Sequence, residues 1–356
     1  MKKKCDLIEA LSNANGISGF EDEVLDIIKD NKPQNVLAEE DKFRNLYLRP
    51  QNSKKNKYTI MIDGHSDEVG FMVQSIKSNG QIKFLPVGGW IPHNATAQKV
   101  RIKNSNGDYI SGVISSKPPH FMTESERNKA IEFNDLSIDV GANSKEEVES
   151  IFLIEVGAPV VPDVTFEYRV LNNTMIGKAF DNRLGCACVL KTLENIQNSD
   201  LEINVVGTIS AQEESGLRGA KITAETVKPD LAIVFEGTPA DDTFKPEDEV
   251  QSSLKKGPQI RHMDRSMISH PRFTHYARTI AKENNLPFQD AVRVGGGTNG
   301  APIHLSNGGV PTIVIGIPVR YIHTHYGITA VEDFEIGVAW ATKIIESLNA
   351  EIIDSF

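Results

Sequence analysis

Three cysteines, Cys5, Cys186 and Cys188, are all that the 356 residues contain. That is too few for a disulfide framework and suits a reducing compartment. Basic charge is scarce as well: 38 Lys and Arg stand against 48 Asp and Glu, a formal net charge of −10. No basic stripe supplies the counterion release on which phosphate-tracking proteins depend, which argues against a nucleic-acid partner. No apolar run approaches membrane-spanning length, so no membrane partner is expected. Met1-Lys2-Lys3-Lys4 is like the start of a signal peptide, but Asp6 and Glu9 interrupt the stretch that would have to be apolar. The expected location is the cytoplasm. Internal repeats and low-complexity segments are also lacking. What remains is ordinary globular usage, 39% hydrophobic and 24% charged, in a chain long enough for one large domain plus an insertion.

The hydrophobic pattern divides the chain by texture. An amphipathic helix is expected over residues 4–14. Ser18-Gly19-Phe20-Glu21 matches a capping box for a second helix that carries Val24, Leu25, Ile27 and Ile28 up to Pro33. Residues 41–48 read as a strand and 58–63 as a buried one, followed by His65. From Phe71 to about Pro162, short alternating runs are separated by Ser78-Asn79-Gly80 and Ser105-Asn106-Gly107, both hairpin signals, with a small helix at 144–149. After Val164 a βα rhythm returns. Asp181 precedes a helical run through Leu184, Val189, Leu190 and Leu193. Buried strands are expected at 203–210, 231–235 and 311–317, and helices at 272–284 and 331–349. The expected fold is α/β, a mixed and largely parallel sheet sandwiched by helices, built from residues 1–68 and 163–356. A small, β-barrel-like domain, residues 69–162, is inserted between the two segments.

Chemistry concentrates around Ala211-Gln212-Glu213-Glu214-Ser215-Gly216. Two adjacent carboxylates follow a buried strand, at the edge where open α/β sheets build ligand sites. Neighbouring acids there repel unless cations hold at least one of them. His65, Glu236 and His323 likewise stand just beyond expected strand ends, and Asp181 lies just before a helix. Two imidazoles and several carboxylates suit zinc, cobalt or manganese. Six such groups exceed what one tetrahedral ion uses, whereas two ions ~3.5–4 Å apart sharing a carboxylate would use them well. Asp67, two residues beyond His65, is placed to orient that ring.

Five segments in order carry a resemblance: His65-Ser66-Asp67-Glu68-Val69-Gly70-Phe71, Gly177-Lys178-Ala179-Phe180-Asp181-Asn182-Arg183, Gln212 to Gly219, Gly296-Gly297-Thr298 and Pro318 to His323. Together they resemble the tetrahedral (TET-type), deblocking or glutamyl aminopeptidases, dinuclear metallopeptidases, over nearly the whole chain. The resemblance implies two divalent ions per chain, one held by His65 and Glu236 and the other by Glu214 and His323. It implies Asp181 bridging them, Asp67 steadying His65 and Glu213 as general base. It further implies short peptide substrates, a β domain used for dimerisation and a homo-oligomer of the tetrahedral, dodecameric type. Glu236 stands where the family more often has Asp, and Asn182 and Asn299 replace acids common at their places. His323-Thr324-His325 offers two imidazoles, leaving the ligand there open between them.

The same residues admit other readings. A deacylase or carboxypeptidase could use the same ligands on a blocked or acidic substrate, and an assembly subunit could keep the shell without the chemistry. Gly295-x-Gly297-x-x-Gly300 has the dinucleotide spacing, but Arg320 stands where an acid is needed and the motif comes too late for a first βαβ unit. His93, His120, His262, His270 and His275 have no such company and read as ordinary polar residues, and His304 as structural. Cys186 and Cys188 read as buried small residues in a helix.

Overall fold

The computed structural model describes residues 2–51 and 56–356; Met1 of the lysine-rich start lies outside them. A mixed eight-stranded sheet forms the body. From edge to edge its strands are Val36–Glu40, Leu46–Pro50, Asn204–Ser210, Thr59–His65, Leu231–Pro239, Thr312–Val319, Gln259–Met263 and Gln289–Val292. The four central strands are mutually parallel. Parallel strands are buried on both faces, so their sequences are nearly continuous in apolar residues. In Thr59–His65 the alternation sends Ile60 and Ile62 into one apolar cluster and Met61 into another. Helices Phe180–Ile196 and Val331–Ser347 cover the first face; Arg218–Val227 and Gly300–His304 cover the second.

Between the strand ending at His65 and the return to this body lies a closed antiparallel barrel of Gly70–Ile76, Ile82–Val87, Ser137–Asp139, Tyr109–Ser115, Lys99–Lys103 and Pro159–Pro162. It has its own core, with Phe71, Phe84, Ile102, Ile138 and Val160 fully or almost fully buried. Both Asn-Gly signals fall in its hairpins, and Ser144 caps the helix Lys145–Ser150 by accepting from Glu147 N. A three-stranded sheet of Glu167–Arg169, Thr174–Gly177 and Gly327–Ala330 lies apart from both. Among the described residues no helix is long and apolar enough to cross a membrane.

Two local readings are corrected. The expected strand over 41–48 is instead a turn and a strand: Asp41 accepts from Phe43 N and Asn45 N and breaks the chain into the antiparallel pair Val36–Glu40 and Leu46–Pro50. An aspartate that bonds its own following backbone favours a turn. Ser18 does not cap the second helix, Asp22–Asn31, whose N-terminus has no side-chain cap. Its hydroxyl is donated to Asp67 Oδ2 at 2.6 Å, and Glu21 Oε1 accepts from Gln212 N at 3.1 Å. Distant partners outbid the local motif.

Under the sheet edge, Glu68 joins two fully buried cations. Its Oε1 lies 2.5 Å from Lys178 Nζ and 3.2 Å from Arg183 Nη2 and accepts from Gly16 N. Arg183 also donates to the carbonyls of Leu11, Ala14, Gly16 and Ser66, and Lys178 to that of Ala14. The N-terminal helix and the first turn of Phe180–Ile196 are thereby locked to the strand ending at His65. Removing the shared anion strands two buried charges, so Glu68→Ala should lose about 3–5 kcal/mol in chemical denaturation. A loss under about 1 kcal/mol, the worth of a surface pair, would show that the triad does not hold these segments.

Candidate metal centre

The centre is assembled by the carboxyl edge of the parallel strands. His65 closes Thr59–His65 in register with Ser210 of the neighbouring strand. Beyond Ser210, Gln212 adopts a left-handed φ of 54° and turns Glu213 and Glu214 back over the edge. Glu236 sits inside Leu231–Pro239 rather than past the end of the expected strand 231–235, a further correction. That strand runs on because Thr312–Val319 pairs with it as far as Pro239. Asp181 and Asn182, joined by a cis peptide bond, have non-helical angles at the start of Phe180–Ile196. Gly237 lets them in: a Cβ there would come within 2.7 Å of Asp181 Cα. Asn182 then bridges the helix start to the strand, donating to Phe235 O and accepting from Gly237 N and Gly185 N.

Six side chains converge. Asp181 Oδ1 is 3.2 Å from His65 Nε2, and its Oδ2 is 3.2 Å from His323 Nε2. Glu236 Oε1 is 3.2 Å from His65 Nε2 and Glu214 Oε1 3.2 Å from His323 Nε2. Glu213 stands further back, with Oε2 at 3.8 Å from His65 Nε2. Ligand atoms of His65, Glu213 and Glu236 lie within 4.8 Å of one another, and so do those of His65, Asp181 and Glu214. The pattern is two imidazole–carboxylate pairs with one carboxylate reaching both.

Each ring is turned by its other nitrogen. His65 Nδ1 lies 3.1 Å from Asp67 O and 3.3 Å from Asp67 Oδ1. Asp67, fully buried, also accepts from Glu213 N, Glu214 N and Ser18 Oγ. His323 Nδ1 lies 3.0 Å from Gly89 O, in the barrel segment that follows Ile82–Val87. An acceptor on Nδ1 fixes the tautomer that presents a bare Nε2, the form a cation needs. His325, the other imidazole of its loop, is not among these groups. Its Nε2 lies 3.1 Å from Lys99 O, its ring packs edge-on against Trp90, and burial pushes it down to about 4.

The electrostatics call for positive charge. Burial pushes the Glu236 carboxyl up to about 8, with Asp181 adding repulsion, and pushes Glu213 and Glu214 up too. Burial opposes the charged form of both imidazoles, yet the carboxylates outweigh it. Glu213, Asp181, Asp67 and Glu236 hold His65 well above its ordinary range; Glu214 and Asp181 hold His323 at about 11. Asp181 is itself held low against burial by hydrogen bonds to His323 and His65. Glu236 Oε2 is buried without a hydrogen bond, and Glu214 Oε1 has only the 3.2 Å approach of His323 Nε2. Buried anions without partners are costly, and divalent cations would satisfy the donors left over. The residues present therefore fit two such ions.

The centre opens into a cavity of about 880 Å³ whose lining also includes Lys245, Arg261, Arg293 and the run Val294 to Gly297. The sequence marked the glycine run of this wall but not its cations, which lie far apart in the chain. Asn299 is not near the ligands' heads; it donates to Asp63 Oδ2 beneath the strand edge.

Comparison with known proteins bears on the fold and the family. Residues 45–339 match the family model described as M42 glutamyl aminopeptidase. The chain is 32% identical to the glutamyl aminopeptidase of Lactococcus lactis subsp. cremoris, covering 97% of each chain. It superposes on the TET aminopeptidase of Thaumarchaeota archaeon SCGC AB-539-E09 with a TM-score of 0.94, at 35% identity over 99% of both. The Pyrococcus horikoshii TET1 peptidase, described as assembling into a tetrahedron or a large octahedral shell, matches with a TM-score of 0.86. Its identity is 26%, over 97% of this chain and 100% of that one. With the family match spanning most of its length, this chain belongs to the M42 glutamyl aminopeptidase family.

Proposed function

We propose that the protein is a two-metal aminopeptidase that trims short peptides. The observation that carries this is Asp181, whose two oxygens each lie 3.2 Å from a different imidazole Nε2. His65 and Glu236 would hold one divalent ion, His323 and Glu214 the other, and Asp181 both. The N/O donor set suits zinc or cobalt, and also manganese. Such ions supply Lewis acidity to a peptide carbonyl and make an attacking water more acidic.

The chain's own residues do the rest. Glu213, set back from the rings and raised by burial, takes the proton of the attacking water and returns it to the leaving amine. Asp67 keeps this base in place through the backbone N–H of Glu213 while steadying His65.

Arg293 makes an acidic first residue the preferred substrate. Lys245 is paired with Asp241 at 3.2 Å and Arg261 with Asp264 at 3.1 Å. Among the described residues Arg293 has no ion pair: it donates to Pro239 O and Gln259 Oε1, and its buried Nε has no partner. The side chain of an N-terminal Glu or Asp supplies the missing anion. Barrel residues Phe121, Ile151 and Val156 are exposed by 65% or more, which supports an interface between copies. A tetrahedral dodecamer built through residues 69–162 accounts for them.

Three tests follow from these assignments. Glu213→Gln should keep both ions and lose about 100- to 10,000-fold in turnover of a free-amine peptide. Glu214→Gln should instead lower metal occupancy, with rescue by excess metal. Metal loss in the first variant, or full affinity in the second, would invert the roles, and turnover of N-acylated peptides alone would favour a deacylase. For Arg293→Gln, kcat/KM on a glutamyl anilide should fall about 10- to 100-fold relative to a leucyl one, matching about 1.5–3 kcal/mol for a charged hydrogen bond. An unchanged ratio would remove Arg293 from specificity. Native mass should be close to twelve times the 39.2 kDa chain, and excising residues 71–161 should reduce it; a parent of monomeric mass would refute the assembly.

A further inference from the structure

We infer that His325 is a positioning residue for the His323 side of the centre, acting by clamping its loop to the barrel. This rests on the two-metal reading above.

His323 lies at the tip of a narrow hairpin. Arg320 and Ile328 exchange backbone hydrogen bonds at 2.9 and 3.2 Å and close its neck. Arg320 pins the neck further with bonds to both oxygens of Asp242. Between them, Tyr321 and His323 have left-handed φ values of 62° and 58°. For residues with a Cβ this conformation is costly and persists only where surroundings enforce it. Within the loop Thr324 Oγ1 donates to Tyr321 O and accepts from Tyr326 N, and contacts from the barrel add to these. His323 Nδ1 meets Gly89 O, and His325 Nε2 meets Lys99 O. His325 is 2% exposed, and its ring stands edge-on to Trp90, with centroids 5.3 Å apart. Trp90 stacks in turn on Phe71, in the barrel core.

Two further observations point the same way. With Nε2 donating to Lys99 O, His325 Nδ1 is an acceptor, and it is buried without a partner. Trp90 Nε1, a donor only, is also buried without a partner, in the ring against which His325 packs. The two packed rings thus carry one buried acceptor and one buried donor, neither of them hydrogen-bonded. A Cβ on Gly89 would come within 2.7 Å of His323 Nδ1, so the barrel segment and the His323 ring have no slack between them. Any shift of the Trp90 segment is therefore transmitted to His323. Asp67 steadies His65 from within the body, whereas His323 depends on the barrel.

The test compares the full-length parent with His325→Phe, which keeps a ring but loses the donor, and His325→Gln, which keeps a donor. Zinc affinity is read by competition with a chromogenic chelator, and kcat and KM are read separately on a glutamyl anilide. The parent should take up two zinc ions. His325→Phe should bind one with parental affinity and the other about 10- to 100-fold more weakly, the usual cost of losing a ligand's supporting partner. Its kcat should fall more than its KM rises, and His325→Gln should recover most of the affinity. Parental affinity for both ions in His325→Phe would overturn the inference. So would equal weakening of both ions without rescue by Gln, which marks general damage, or loss of one ion even at saturating zinc, which marks a ligand. A parent that binds no zinc would remove the two-metal reading itself, and this inference with it.

Discussion

Burying four carboxylates within reach of one another is the constraint on which the rest of this structure depends. Asp181, Glu213, Glu214 and Glu236 cannot share a dehydrated pocket unless positive charge lies among them. Two imidazoles supply part of it, as the raised His65 and His323 show. Two divalent cations would displace those imidazole protons and bring more positive charge in their place. The scaffold accepts this cost because strand ends and a helix start are fixed by contacts that do not involve the ligand heads. Glu68 ties the strand end to the first turn of Phe180–Ile196, Gly237 admits Asp181, and Asn182 ties that turn to the next strand.

The two halves of the centre are supported differently. His65 and the Glu213–Glu214 turn share one buried carboxylate, Asp67, which Ser18 holds from the N-terminal segment. These groups are held from within the body. His323 is oriented by Gly89 O of the barrel, so the second half is complete only when barrel and body are seated together. If copies associate through the barrel, the same contacts place assembly and chemistry in mechanical contact.

Much of the candidate site was legible in the sequence because most of its residues sit at or near strand ends, and strand ends are visible as apolar runs followed by polar residues. His65, Glu213, Glu214 and His323 were readable in that way, and the Asn-Gly turns marked the barrel hairpins before any coordinates. Glu236 was readable as a site residue but not as an internal strand position, since pairing with Thr312–Val319 extends the strand past the polar residue. Ser18 and Glu21 satisfied a local capping pattern and were misread, because the pattern carries no information about Asp67 or Gln212. Arg293 carried no signal, and His325 was readable only as an alternative ligand to His323. Their significance is a missing or completed partner in three dimensions, which no spacing rule reports.

The central claim is that the cluster is a dinuclear centre bridged by Asp181. Anomalous diffraction from crystals grown with zinc tests it most directly. The account predicts two peaks per chain, one beside His65 and Glu236 and one beside His323 and Glu214, with Asp181 between them. A single peak, or zinc bound only away from Asp181, would contradict it.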